Sequence, residues 1–233
     1  TSVSSSTSDG NYKADDVIVV SVNFSEEVTL QSGNNLVLTL ETGATDRTVT
    51  IFGPFSGTSG SGTYTVQAGD TSADLDFATT GSLALSGGTL LDGAGNSATL
   101  TLVDPGAAGS LAASSALVID TTAPTVSNVT SSTNNGSYKA GDAVSVQVVF
   151  SEAVDVAGGT PQLTLATGGS GTVVNYASGT GSNTLTFTYT VAAGNTSGDL
   201  DYTATSSLAL NGATIKDSAG NNATLTLATP GAA

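Results

Sequence analysis

Asn11–Val28 reads NYKADDVIVVSVNFSEEV, and Ser137–Val154 reads SYKAGDAVSVQVVFSEAV, with 10 of 18 positions identical at an offset of 126. In both, apolar residues alternate with polar or β-branched ones: Val17-Ile18-Val19-Val20-Ser21-Val22-Asn23-Phe24 and Val144-Ser145-Val146-Gln147-Val148-Val149-Phe150. A period of two sends successive side chains to opposite faces, which is the pattern of a half-buried strand and not of a helix. A second block, Gly69–Ala107, returns as Gly194–Ala232 at an offset of 125 with 25 of 39 positions identical, so one residue has been lost between the blocks. Similarity of this extent at a fixed period means one domain written twice.

Further strands are expected over Leu36–Leu40, Gln162–Leu165, Thr48–Phe52, Thr172–Tyr176 and Thr184–Val191, the last being the longest. Gly, Asn, Asp and Ser clusters separate them, and the 29 glycines suit many tight connections. No stretch of a dozen residues carries a helical stripe. The expected fold is all-β: two tandem Ig-like β-sandwich domains in line, each of seven or eight short strands. Their expected limits are 1–122, with its first strand truncated, and 123–233, with its last strand missing. Between them lies Ala116–Val126, ALVIDTTAPTV. It opens as a strand at Leu117–Ile119, but Pro124 has no N–H and pushes Ala123 into an extended conformation, so the stretch reads as a joint with Asp120 between the copies. One mismatch stands out. Where the second copy has Leu185 and Phe187, the first has Gly60 and Gly62, and Phe52, Pro54 and Phe55 just before them either refill the core or form an exposed contact patch.

Composition narrows the function. With no Cys, Met, Trp or His, disulfides, thiol chemistry, the usual zinc sites and a Ser-His-Asp triad all fall away. Nineteen acids against four bases give a net charge of −15, which disfavours nucleic acid and anionic membrane and favours bound cations or a solvated surface. No run of about 18 apolar residues suggests membrane insertion. The opening TSVSSSTSDG lacks the pattern of a secretion signal, so such a signal is expected outside this sequence. The incomplete terminal strands are expected to reflect excision from a longer array. The alternative is strand exchange, head to tail with other copies, into a fibre.

The motifs D-T-T-A-P-T-V, Y-K-A-G-D, F-S-E-x-V, D-L-D-Y and D-x-A-G-N, in this order along nearly the whole chain, carry a resemblance. It is to the bacterial Ig-like repeats of giant secreted adhesins, especially the repeat first named for cyanobacterial swimming-motility surface proteins. The resemblance implies tandem, non-enzymatic modules that are secreted or at the cell surface, are often stiffened by calcium, and have neighbouring repeats as partners.

Acids shared by both copies are the candidate ligands: Asp16/Asp142, Glu26/Glu152, Asp74/Asp199, Asp76/Asp201 and Asp92/Asp217, with Asp70 answered by Asn195. Asp142 and Glu152 flank one strand ten residues apart, which at about 3.4 Å per residue puts them at opposite poles of a sandwich. Antiparallel parity then brings Asp217 and Asn221 beside Glu152, and puts Asp16, Asp70, Asp74 and Asp76 at the pole of the first copy that faces the joint. Two carboxylates 5 Å apart repel by about 3 kcal/mol at an effective dielectric of 20. Calcium, taking six to eight oxygens in loose geometry, is the cation that suits Asp, Asn and Glu on loops. The expected metal residues are Asp120, Glu152, Asp217 and Asn221, with Asp16, Asp70, Asp74 and Asp76 across the joint, and Glu26, Asp92 and Asn96. Asp70-Thr71-Ser72-Ala73-Asp74 places oxygens at alternate positions like half an EF-hand loop, but lacks the sixth-position Gly and twelfth-position Glu. The plainer reading is that D-x-A-G-N is a tight turn and that Asp16 and Asp142 pair with Lys13 and Lys139. Asp74 and Asp76 would share one strand face without a cleft or aromatic walls, so no glycosidase, and no enzyme, is expected. A carbohydrate-binding module is the remaining alternative, with Phe52, Phe55 and Tyr176 as its few rings.

Overall fold

The computed structural model describes residues 1–231, and every regular element among them is a strand. The chain divides between Thr121 and Thr122 into two units, each with its own core. In the first, β1 (Ser2–Ser5), β2 (Gly10–Tyr12), β3 (Val17–Leu30) and β4 (Asn35–Glu41) lead into β5 (Arg47–Phe52) and β6 (Phe55–Thr65). Short pieces follow: β7 (Thr71–Ser72), β8 (Asp76–Phe77), β9 (Leu83–Ser86), β10 (Leu90–Asp92) and β11 (Leu117–Asp120). β3 carries β1, β6 and β10 in one sheet, and β4 carries β5, β8 and β9 in another. Ile18, Val20 and Val22 of β3 join Leu36, Leu38 and Leu40 of β4 and Ile51 of β5 in one core, each at most 2% exposed. This is the Ig-like sandwich, two sheets closed over alternating inward residues.

The second unit holds β12 (Val126–Ser131), β13 (Ala143–Gly158), β14 (Gln162–Leu165), β15 (Thr172–Ser178), β16 (Ser182–Thr190), β17 (Leu208–Ala209) and β18 (Ala213–Lys216). They pair in the order β12-β13-β16-β15-β14-β17, with β18 also on β13. Val144, Val146, Val148 and Phe150 of β13 pack with Leu185, Phe187 and Tyr189 of β16 in its core.

Two expectations need correction. The longest strand is β13, at 16 residues, and not the Thr184–Val191 stretch. After Phe150 the apolar run is interrupted at Glu152, where the strand continues through a bulge that the period cannot show. The first unit contains eleven strands because several are two- or three-residue pairings, too short to leave a periodic signature. The strand expected at Leu117–Ile119 is present as Leu117–Asp120, parallel to β2 and antiparallel to β7.

The glycines of β6 are explained by close approach. A Cβ on Gly62 would stand 2.6 Å from the Thr50 carbonyl oxygen and from Val49 Cγ1, and one on Gly60 would meet Ile51 and the Phe55 ring. Phe55 packs on the core, whereas Phe52 is 71% exposed. The ring cluster therefore splits, one member refilling the core and one facing solvent. Gly62→Phe, which makes the first copy resemble the second at Phe187, should destabilise the first unit by about 3 kcal/mol through overpacking against backbone. Urea unfolding would show this, and an unchanged midpoint would contradict the close approach.

Candidate metal centre

Glu152 is displaced from the regular ladder by the bulge in β13. Up to Val149 that strand pairs residue for residue with β16, but from Val149 to Val154 it advances five residues while β16 goes only from Thr184 to Ser182. Extra residues in one strand twist it and re-aim its side chains. Past the bulge β13 changes neighbour and pairs with β18, Asp155 opposite Lys216, so Asp217 emerges alongside the bulge. Carboxylate oxygens of Glu152 and Asp217 lie within 4.8 Å of each other, with Glu152 half-buried and Asp217 buried. Pro124 and Thr125 are pinned at the same place: the Thr224 N–H donates to the Pro124 carbonyl at 2.7 Å, and the Ser151 N–H to that of Thr125 at 2.8 Å.

Asp217-Ser218-Ala219-Gly220-Asn221 is a turn closed on its own acid. The Asn221 backbone N–H donates to Asp217 Oδ1 and its side-chain amide to Oδ2, each at 2.8 Å. Gly220 takes a φ of +91°, which a side chain would make costly. Asn221 thus orients the carboxylate, and each Asp217 oxygen retains a second lone-pair direction. In the first unit Asp92 and Asn96 repeat the turn, with Ala94 as a further donor. The Asn96 side chain, then its backbone N–H, hold the Asp92 carboxyl below the usual range. Glu26 lies in the matching bulge of β3, between Asn23 and Val28, and shares with Asp92 and Asn96 a concavity of about 130 Å³.

The remaining expected ligands of the first unit are dispersed. Among the described residues, no three acids within that unit come close enough to share an ion. Asp16 accepts the Lys13 backbone N–H at 2.9 Å and faces the Lys13 ammonium at 3.6 Å. Asp74 is exposed, while Asp76, two residues on, is buried and takes N–H bonds from Phe77, Gly106 and Leu111, so the two do not share a face. Asp70 is buried, with Arg47 Nε at 2.8 Å, the Tyr64 hydroxyl at 2.7 Å and the Gln67 N–H at 3.0 Å on its oxygens. Burial pushes this carboxyl up, but bonds from Tyr64, Gln67 and Arg47 outweigh that and leave it below the ordinary value. Tyr64 is driven upward, first by burial and then by its bond to Asp70. Asp120 closes β11 opposite its register partner Thr71.

Reading the acids alone misses the Arg47–Asp70 pair. Its signal is in the repeat: Arg47 becomes Thr172 and Asp70 becomes Asn195, so both partners change together. Nor do the three rings considered for sugar binding make a platform. Phe55 packs on the core, and Tyr176 sits edge-on to Phe187 at 6.2 Å and 73°.

Residues 120–229 match the family model described as a bacterial Ig-like domain, a span that takes in nearly all of the second unit. No curated protein and no solved structure matches the chain.

The buried Asp70 makes the first unit acid-sensitive. Its folded pKa is depressed, so its contribution is present above the unfolded value near 3.8 and is lost as pH falls through the folded one. Asp70→Asn should cost about 2 kcal/mol at neutral pH, because Arg47 loses its charged acceptor, and should flatten the decline below pH 4. Arg47→Thr combined with Asp70→Asn, the pairing that the second copy uses, should recover most of the loss. Calorimetric melts from neutral pH to about pH 2.5 would check all three variants.

Proposed function

We propose that this chain is a non-enzymatic structural spacer of a secreted or surface-exposed bacterial protein, stiffened by calcium bound at Glu152 and Asp217. The observation that carries the reading is the approach of the Glu152 and Asp217 oxygens to within 4.8 Å in a chain of net charge −15. At that separation two carboxylates repel by about 3 kcal/mol at an effective dielectric of 20, and a divalent cation turns the repulsion into attraction. Asp217 enters oriented by Asn221, as carboxylate ligands commonly are by outer hydrogen bonds. Water and main-chain carbonyls would complete the six to eight oxygens that calcium takes.

The adhesin assignment and the cell-surface setting rest on the Ig-like match over residues 120–229 and on the motif resemblance. Neighbouring repeats of the same protein, and other copies in a filament, are the proposed partners.

Calcium at a hundred times its dissociation constant should stabilise the chain by about 2.7 kcal/mol and raise its melting temperature by several degrees over a chelated sample. Glu152→Gln, which leaves the Asp217 turn intact, should weaken calcium binding at least tenfold in titration calorimetry. Identical melts in calcium and in chelator would overturn the metal reading, while the spacer role would stand on the fold.

A further inference from the structure

Residues 93–116 lie outside every strand and carry the first unit from β10 to β11. Within them Asp104-Pro105-Gly106-Ala107 is a tight turn. The Ala107 N–H donates to the Asp104 carbonyl at 3.0 Å, Pro105 holds the second position, and Gly106, with a φ of +78°, holds the third. All four residues are exposed. Among the described residues no donor meets the Asp104 carboxylate, in contrast to those of Asp70, Asp76 and Asp92. The prolines follow Gly53, Asp104, Ala123, Thr160 and Thr229, so the sequence contains one Asp-Pro bond. At the offset of 125 the second copy has Thr229-Pro230, with a hydroxyl where the first has a carboxyl.

An Asp-Pro bond carries its own nucleophile. The side-chain carboxyl lies one methylene away from the α-carbon whose carbonyl it attacks, so a five-membered cyclic anhydride closes within one residue, at high effective concentration. The leaving group is a tertiary amide nitrogen. In acid the Pro105 nitrogen takes a proton, and the C–N bond breaks with its electron pair on that nitrogen, freeing Pro105 as a secondary amine. Water then opens the anhydride, restoring the Asp104 side-chain carboxyl and leaving a new α-carboxyl. One water is consumed, and acid is the only other requirement. The Ala107 N–H already points at the carbonyl oxygen on which charge develops during the attack.

Both flanks of the turn are tied down independently of this bond. Upstream, the Leu102 N–H donates to the Thr80 carbonyl at 2.9 Å, and Leu102 is buried. Downstream, the Gly106 and Leu111 N–H groups meet the Asp76 carboxylate at 2.8 and 3.1 Å, and the Val3 N–H meets the Gly109 carbonyl at 2.9 Å. β11 then runs between β2 and β7 with Leu117 and Ile119 buried, and the Thr121 hydroxyl donates to the Asp70 carbonyl at 2.9 Å. All of these downstream partners precede residue 105. They hold 105–121 in the first unit without help from the peptide bond.

We propose that Asp104-Pro105 is an acid-cleavable bond built into the first unit, cut by water through the Asp104 carboxyl, and that 1–104 and 105–233 stay assembled through β11 afterwards. The covalent link between the first unit's sheets and everything beyond Thr121 is then replaced by main-chain hydrogen bonds and the buried side chains of an inserted strand.

The test holds the whole chain near pH 4, where the lowered pKa of Asp70 keeps its bonds in place, and follows intact mass over days. Two products are expected, 1–104 and 105–233, whose masses sum to that of the chain plus one water, with Thr229-Pro230 uncut. Returned to neutral pH, they should co-elute in size-exclusion chromatography and separate in guanidinium. Asp104→Thr, which reproduces the turn of the second copy at an exposed position, should slow the cut at least tenfold and leave the melting temperature unchanged. A chain that stays intact, equal cutting at other aspartates, or an undiminished rate in Asp104→Thr would overturn the cleavage. Products that part at neutral pH would overturn the assembly through β11.

Discussion

Both units depend on one long strand that changes neighbours part of the way along. β3 pairs with β1 before its ladder breaks and with β10 after it; β13 pairs with β12 and β16 before its break and with β18 after it. A regular strand would keep the same neighbours along its whole length. The bulge lets one strand change neighbours part of the way along, and it must leave residues outside the ladder. In both copies the residues left out include the glutamate of F-S-E-x-V. Glu26 and Glu152 are thus where they are as a consequence of where the long strand changes neighbours.

The acids divide according to what meets their oxygens. Asp70 and Asp76 are buried and surrounded by donors, so their charge is used to hold loops to strands. A buried carboxylate without such donors would be far too costly to keep. Asp16 and Asp142 each receive the backbone N–H three residues before them, with a lysine alongside. Glu152 and Asp217 differ because an acid, and not a donor alone, stands opposite. Net charge sets the overall excess of acid; local geometry brings two of these acids within 4.8 Å of each other.

The two copies have diverged in linked steps. Replacing Arg47 and Asp70 by Thr172 and Asn195 removes a buried ion pair yet keeps the tyrosine bond, since the Tyr189 hydroxyl donates to Asn195 at 2.9 Å. Exchanging Leu185 and Phe187 for Gly60 and Gly62 fits a first copy in which β5 crosses so close to β6 that no side chain is admitted. In each case a change at one position has physical meaning only together with its partner in space.

The chain's own residues determined the all-β class, because a period of two cannot bury one face of a helix, and they determined the repeat, because its identities are too dense for chance. They also placed the D-x-A-G-N turns, since Asp, Gly and Asn act there through local bonds. Tertiary structure decided what depends on residues far apart in sequence. The extension of β13 through its bulge, the Arg47–Asp70 bond across 23 residues, and the burial of Asp76 beside an exposed Asp74 all depend on which strands become neighbours. Alternation specifies which face of a strand is buried, and only packing selects the strand that covers it.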